Sequence, residues 1–178
     1  RDIMERFLDW EFHGAYTPFG EAFDEGNTCS NAIYKYRDSH DLTTCGETGE
    51  YSNGNGALMR ILPVCLYFIQ KEDISDADAL RQIHLATGLT HYHLRCLIAS
   101  GVYYFFSKAI VTMAPKNGEL ITCIQCGVEK GFAFYHTPES PAELMYFQRL
   151  RDLNDFFSLP EDEIESDGYV LHALEAAI

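Results

Sequence analysis

The run 93-HLRCLIASGVYYFFSKAIVTM-113 constrains the fold more than any other stretch of the chain. Its apolar residues occupy most sides of a 3.6-residue repeat, so a helix built from it must be surrounded by other elements and is expected at the buried centre. Elsewhere the helical period recurs, while the strict two-residue alternation that marks a half-buried strand is scarce. An all-α bundle follows. Apolar residues make up 47% of the chain and charged ones 22%, enough apolar mass for a packed core, and 178 residues suit one domain.

Local signals set the expected boundaries. Ile3, Phe7, Leu8 and Trp10 form one apolar face of a first helix, which Gly14 and Pro18 punctuate. Thr28 is expected to cap a second helix that reaches about Arg37. A third runs from Gly56 or Ala57 to Gln70 and contains Pro63, which should kink or break it. Ser75 and Asp78 make a capping arrangement for 76-DADALRQIHLATG-88, which ends at its glycine. Further helices are expected from about Gly118 to Phe134, from 140-SPAE-143 to about Asp155, and over 168-GYVLHALEAAI-178 with Ser166 at its head. Arg1 opens the chain without a methionine and 174-LEAAI-178 stops it inside a helical pattern, so residues 1–178 are expected to be a partial domain, truncated at both ends.

Charge excludes one class of partner. Lys and Arg number 13 against 27 Asp and Glu, a net charge of -14, and no basic stripe interrupts the acidic background. Duplex binding needs clustered cations, so no nucleic acid is expected as a partner. An anionic ligand would instead be held by backbone amides, helix ends or a metal. No apolar run reads as long enough to span a bilayer, no signal peptide is visible, and no membrane partner is expected. The six cysteines sit largely inside apolar helical patterns and read as the reduced, buried thiols of a cytoplasmic protein. The pair 123-CIQC-126 has no second pair to complete a zinc site and reads as ordinary helix residues.

One loop stands apart. In 51-YSNGNGALMR-60 two glycines precede a helix; they allow positive φ and close approach of a ligand, and the free amides of the first helical turn suit a phosphate or diphosphate. A plain structural turn fits the same pattern. Asn55 could contact the ligand or cap the helix. Arg60 could reach a phosphate, but an intramolecular ion pair is the expected role; Asp24 could reach the cleft, but an Asx-type turn of its loop is preferred. The acidic stretch 161-EDEIESD-167 reads as a solvated approach to a helix N-terminus, and His84 and His93 as surface or core histidines.

The words 54-GNGALMRILP-63, 22-AFDEGNT-28, 90-TH-91 and 168-GYVLHALEAAI-178 resemble, in order and approximate spacing, the ADP-ribosylglycohydrolase family, whose members remove ADP-ribose from proteins or small molecules. The resemblance covers essentially the whole chain. It implies a helical bundle with ADP-ribose lying over two magnesium or manganese ions. It also implies that Ser52, Asn53, Gly54, Asn55 and Gly56 contact the diphosphate and adjoining ribose, that His91 lines the cleft, and that Tyr169 stands near the adenosine. The expected partner is an ADP-ribosylated protein or an ADP-ribose-containing small molecule. The family's Thr-Asp-Asp-Thr and Gly-Gly-Asp-Thr-Asp-Thr motifs, which carry most metal ligands, have no counterpart here, so no metal ligand is assigned. Asp167 also stands where a small residue is usual, and Asn53 where some members have an aromatic. Three readings remain open: the central portion of a hydrolase, inactive or nearly so alone; a member of the fold that holds ADP-ribose without cleaving it; or a structural all-α module unrelated to nucleotides.

Overall fold

The computed structural model describes residues 1–114, 119–136 and 141–178. Nine helices occur among them: α1 Asp2–His13, α2 Asn27–Ser39, α3 Leu58–Ile69, α4 Asp76–Gly88, α5 Leu94–Met113, α6 Leu120–Tyr135, α7 Pro141–Leu144, α8 Leu153–Phe157 and α9 Val170–Ala176. Among the described residues there is no strand, only two isolated bridges, Glu47 with His91 and Gly54 with Tyr169. The fold is all-α, as the periodicity predicts.

The central apolar run is the buried centre. Helix α5 packs on α3, α4, α6, α7 and α9, and its Ile98, Val102, Tyr104 and Phe105 join Ile61 of α3, Leu80 and Ile83 of α4, and Leu174 of α9 in the main core. By length and composition α5 could cross a membrane, which corrects the reading that no run is long enough. Its apolar sides are spent on neighbouring helices, as those of a core helix are. A smaller cluster of Met4, Ile33, Tyr36, Cys45 and Leu89 ties α1 and α2 to the loops beside α4. All six cysteines are free, and Cys123 and Cys126 are helix residues of α6.

Several boundaries differ from expectation for identifiable reasons. Helix α2 starts at Asn27 behind Gly26, and Thr28 lies inside its first turn. Helix α3 continues through Pro63, whose side chain faces solvent, so the lost amide bond interrupts nothing buried. The helix expected from 140-SPAE-143 to Asp155 is divided: α7 gives way to a 3-10 turn over Met145–Leu150, and Asp152 starts α8 by accepting from the amides of Asn154 and Asp155. Ser140 and Gly118 lie outside the described residues. Helix α9 is led by Asp167, not Ser166, because the Asp167 carboxylate accepts from the Tyr169 amide at 2.8 Å. Ser75 caps α4 as predicted, accepting from the Asp78 amide at 3.1 Å.

Candidate functional site

A cleft of about 1060 Å³ opens between α1, the starts of α2 and α3, and the turn that joins α4 to α5. Two helix N-termini meet it. Gly26, Asn27, Thr28 and Cys29 bring the head of α2 to one side; Gly54, Asn55, Gly56, Met59 and Arg60 bring the head of α3 to another. Neither helix has a side-chain cap or an acidic residue in its first turn. Helix α4, which does not open there, has Ser75, Asp76 and Asp78 in those roles. Two helices without side-chain caps thus turn the positive ends of their dipoles to one space in a protein whose net charge is -14, although the Asn55, Met59 and Arg60 amides at the α3 head already donate to the carbonyls of Gly168, Asn55 and Ala57. This is an anion-receiving arrangement built without a basic patch.

The loop before α3 is fixed from behind. The Asn55 amide donates to the Gly168 carbonyl at 2.8 Å, and the Val170 amide to the Asn53 carbonyl at 3.0 Å. The Asn53 side chain is buried; its Nδ2 donates to the Glu50 carbonyl at 2.8 Å and its Oδ1 accepts from the Cys96 thiol at 3.5 Å. Ser52 and Asn53 therefore support the loop and do not line the cleft, whereas Gly54, Asn55 and Gly56 do line it. Asn55 does not cap α3: its Nδ2 reaches the Asp167 carbonyl at 3.4 Å.

The two glycines are explained differently from the sequence reading. Neither has positive φ; among glycines that conformation occurs at Gly14 and Gly20. What they provide is room for His91. A Cβ at Gly56 would stand 2.9 Å from the Cys29 sulfur and 3.1 Å from His91 Cε1, and one at Gly54 would stand 3.4 Å from His91 Nε2. The imidazole lies against the bare backbone, 2% exposed, and still borders the cleft. Burial, aided by the nearby Arg60 charge, lowers its pKa to about 4, so it is neutral at physiological pH.

Arg60 overturns the expected ion pair. No carboxylate meets it among the described residues; its Nη2 donates to the Ala86 carbonyl at 3.0 Å and to Thr90 Oγ1 at 2.9 Å, and its guanidinium lies 5.4 Å from the Phe7 ring centroid. Burial lowers its pKa, yet a guanidinium keeps its proton, so a positive charge without a carboxylate partner borders the cleft. Asp24 follows the alternative reading, a place at the cleft, over the preferred loop role. It lines the cleft at φ 57 and makes no side-chain hydrogen bond among the described residues, so no Asx turn explains it.

Tyr169 lies outside the cleft lining, which Gly168 reaches in its place. Its hydroxyl accepts from Arg95 Nη1 at 3.1 Å. Arg95, 3% exposed, also meets Glu143 at 2.9 Å and Glu50 at 3.0 Å, and stacks 3.6 Å from the Tyr146 ring centroid. His93 caps α5 and approaches Glu50, and His84 bonds the Tyr135 hydroxyl at 2.6 Å in the core.

Two groups have metal-ligand spacing among the described residues: Glu50, His93 and Glu143, and Glu165, Asp167 and His172. Neither fits the expected pair of hard divalent ions, which want several oxygen ligands each. Arg95 already pairs with both carboxylates of the first group, and the second rests on two exposed carboxylates that His172 bridges at 3.0 and 2.9 Å. Neither group lines the cleft, whose carboxylates are Asp24 and Glu25.

Sequence reasoning missed the head of α2, Thr90 and the aromatic wall of Trp10, Tyr16 and Tyr51. The signal for the first was present: 26-GNTC-29 starts a helix with no acidic residue in its first turn. Trp10 had no such signal, because α1 residues on one helical face look the same whether they cover a core or a cleft, and Tyr16 and Tyr51 are isolated loop aromatics.

Comparison with known proteins adds an independent line. The family model described as ADP-ribosylglycohydrolase matches residues 1–178. A curated relative, the ADP-ribosylarginine hydrolase Tri1 of Serratia proteamaculans (strain 568), is 25% identical over 176 residues, covering 99% of this chain and 42% of the relative. The chain thus spans less than half the length of that relative. The match over its full length, on a helical bundle whose glycine loop, histidine and two helix heads converge on one cleft, makes the chain a member of the ADP-ribosylglycohydrolase family.

Proposed function

We propose that the cleft receives the ADP-ribose part of an ADP-ribosylated protein or small molecule, and that the whole protein hydrolyses the glycosidic bond to the acceptor. One observation carries the reading: two uncapped helix N-termini and a guanidinium without a carboxylate partner face one space in a strongly acidic protein. A diphosphate suits that space, with each helix terminus contributing about 0.3–1 kcal/mol. Gly54, Asn55 and Gly56 stand over the diphosphate and adjoining ribose, and His91 offers the ligand a ring nitrogen. Trp10, Tyr16 and Tyr51 give a purine flat apolar faces. Ser52, Asn53 and Tyr169 support this lining from behind.

The relative's name specifies an arginine linkage. Asp24 and Glu25 favour the same acceptor here, because a guanidinium leaving the ribose is the one common acceptor that carries a positive charge toward carboxylates. Magnesium or manganese ions, as the family resemblance implies, would need more oxygen ligands than Asp24 and Glu25, the carboxylates lining this cleft, supply. The residues described here bind and orient. A chain limited to them holds ADP-ribose without appreciable cleavage.

Trp10 is the chain's single tryptophan and lines the cleft, so its fluorescence reports occupancy. Titration with ADP-ribose is expected to give a saturable change, and Asn55→Ala to weaken binding about tenfold, the loss of one hydrogen bond to a charged group. A folded protein whose Trp10 emission and calorimetric heat are both indifferent to millimolar ADP-ribose would overturn the proposal.

A further inference from the structure

The imidazole of His91 has two nitrogens in different surroundings. Nδ1 lies 2.8 Å from Thr90 Oγ1, and Nε2 has no hydrogen-bond partner among the described residues while bordering Gly54 and Gly56 at the cleft. Which nitrogen carries the proton decides whether His91 offers the ligand a donor or an acceptor.

The neighbours of Thr90 settle the direction. A guanidinium can only donate, so the 2.9 Å contact from Arg60 Nη2 occupies Thr90 Oγ1 as an acceptor. The hydroxyl keeps one hydrogen to give. Its candidate acceptors are His91 Nδ1 at 2.8 Å and the Cys29 sulfur beside it. Burial pushes the Cys29 thiol up, so it stays protonated and accepts poorly, and the imidazole nitrogen is the better base. Arg60 cannot turn away, because the Ala86 carbonyl at the end of α4 holds the same nitrogen at 3.0 Å. The backbone is pinned as well: the Glu47 amide donates to the Thr90 carbonyl at 2.9 Å, and the Tyr92 amide to the Glu47 carbonyl at 2.7 Å.

We propose that Arg60 and Thr90 are positioning residues that hold His91 as the Nε2–H tautomer, so that it presents a hydrogen-bond donor to an oxygen of the ligand. The relay runs from Arg60 Nη2 to Thr90 Oγ1, and from the Thr90 hydroxyl to His91 Nδ1. It deepens the reading of the cleft as an ADP-ribose site and rests on that reading only for the ligand's identity; the acceptor is a ribose hydroxyl or a diphosphate oxygen. Gly54 and Gly56 complete the device by leaving nothing over Nε2.

Nitrogen-15 NMR of the histidine-labelled chain tests this, with His91→Gln assigning the signals. The wild-type protein is expected to show Nδ1 as an unprotonated, pyridine-type nitrogen and Nε2 as a protonated, pyrrole-type one. Thr90→Val should move both toward the average of a tautomer mixture, and Thr90→Ser should restore the wild-type pair, a rescue that a packing role for the Thr90 methyl would not give. A protonated Nδ1 in the wild-type protein, or a Thr90→Val spectrum identical to wild type, would overturn the inference. Added ADP-ribose separates the two readings. A shift of the Nε2 signal supports both, whereas the Nε2–H tautomer seen in the free chain with no response to ADP-ribose upholds the relay and removes the ligand assignment.

Discussion

At Gly56 the side chain that must not exist is defined by neighbours, His91 and Cys29, not by the backbone conformation, whereas Gly54 has room for a methyl in ordinary contact with His91. His91 claims the space, and its burial beside Arg60 then makes it neutral. The same burial has a thermodynamic consequence. His84 and His91 both titrate near 4 when folded, against an ordinary value of 6.5. Above 6.5 neither state of the protein binds the proton and the two histidines leave stability unchanged; as pH falls from 6.5 to 4 the unfolded chain takes up protons that the folded one refuses. Stability should therefore drop through that window, by on the order of 3 kcal/mol per histidine. Urea midpoints at a series of pH values check it: His84→Gln, which can keep a bond to the Tyr135 hydroxyl, should flatten the fall, and an equal slope in wild type and variant would contradict the assignment. At this scale the sequence was partly legible. The glycine loop and His91 announced themselves, while the Arg60 to Thr90 contact joins residues thirty positions apart and leaves no local pattern.

The helices themselves were the most legible level, because each is set by an apolar period and, where one exists, a cap within a few residues. Ser75 and Asp78 marked α4 correctly, and the failures came where two signals competed. Over 140–155 the apolar period runs on, but Asp152 offers its carboxylate to the next two amides and starts a new helix. Packing between helices had no local signature at all. At the contact of α5 with α6, a Cβ on Gly127 would overlap the Phe106 backbone, so the two axes approach as closely as a glycine permits. Gly127→Ala should cost about 1–3 kcal/mol through forced separation of the pair, even though alanine is the better helix former. Chemical denaturation measures this, and a stabilised Gly127→Ala protein would show that the helices are not in such close contact.

For the whole molecule, the question is what joins the cleft to the bundle. Arg95 does much of it: from the first turn of α5 it reaches Glu50 in the loop before α3, Glu143 in α7 and Tyr169 at the head of α9. Replacing it with methionine strands those groups and should cost about 2–4 kcal/mol, with the loop loosened as well. Lysine should not restore it, since a point-like ammonium lacks the planar fork that sends Nη1 to Glu50 and Nε to Glu143 while stacking on Tyr146. Thermal melts of Arg95→Met and Arg95→Lys decide this, and wild-type stability in either would remove Arg95 from the account. Fold class and family were legible at this scale because helical period and motif order run the length of the chain. The convergence of two helix heads was not, because α2 and α3 are separated by a polar loop whose path the sequence does not dictate.

The cleft is proposed as the ADP-ribose site, with His91 facing it past Gly54. Gly54→Ala isolates that claim. Its methyl would sit 3.4 Å from His91 Nε2, at ordinary contact distance, on a backbone that alanine can adopt, so folding should be unaffected while the donor is covered. Calorimetric titration of ADP-ribose into both proteins, matched for melting temperature, is the most direct measurement. Saturable one-to-one binding to the wild-type chain, weakened about tenfold or more in Gly54→Ala, is the predicted result. Equal affinity in the two proteins, or no binding to a folded wild-type chain, would contradict it.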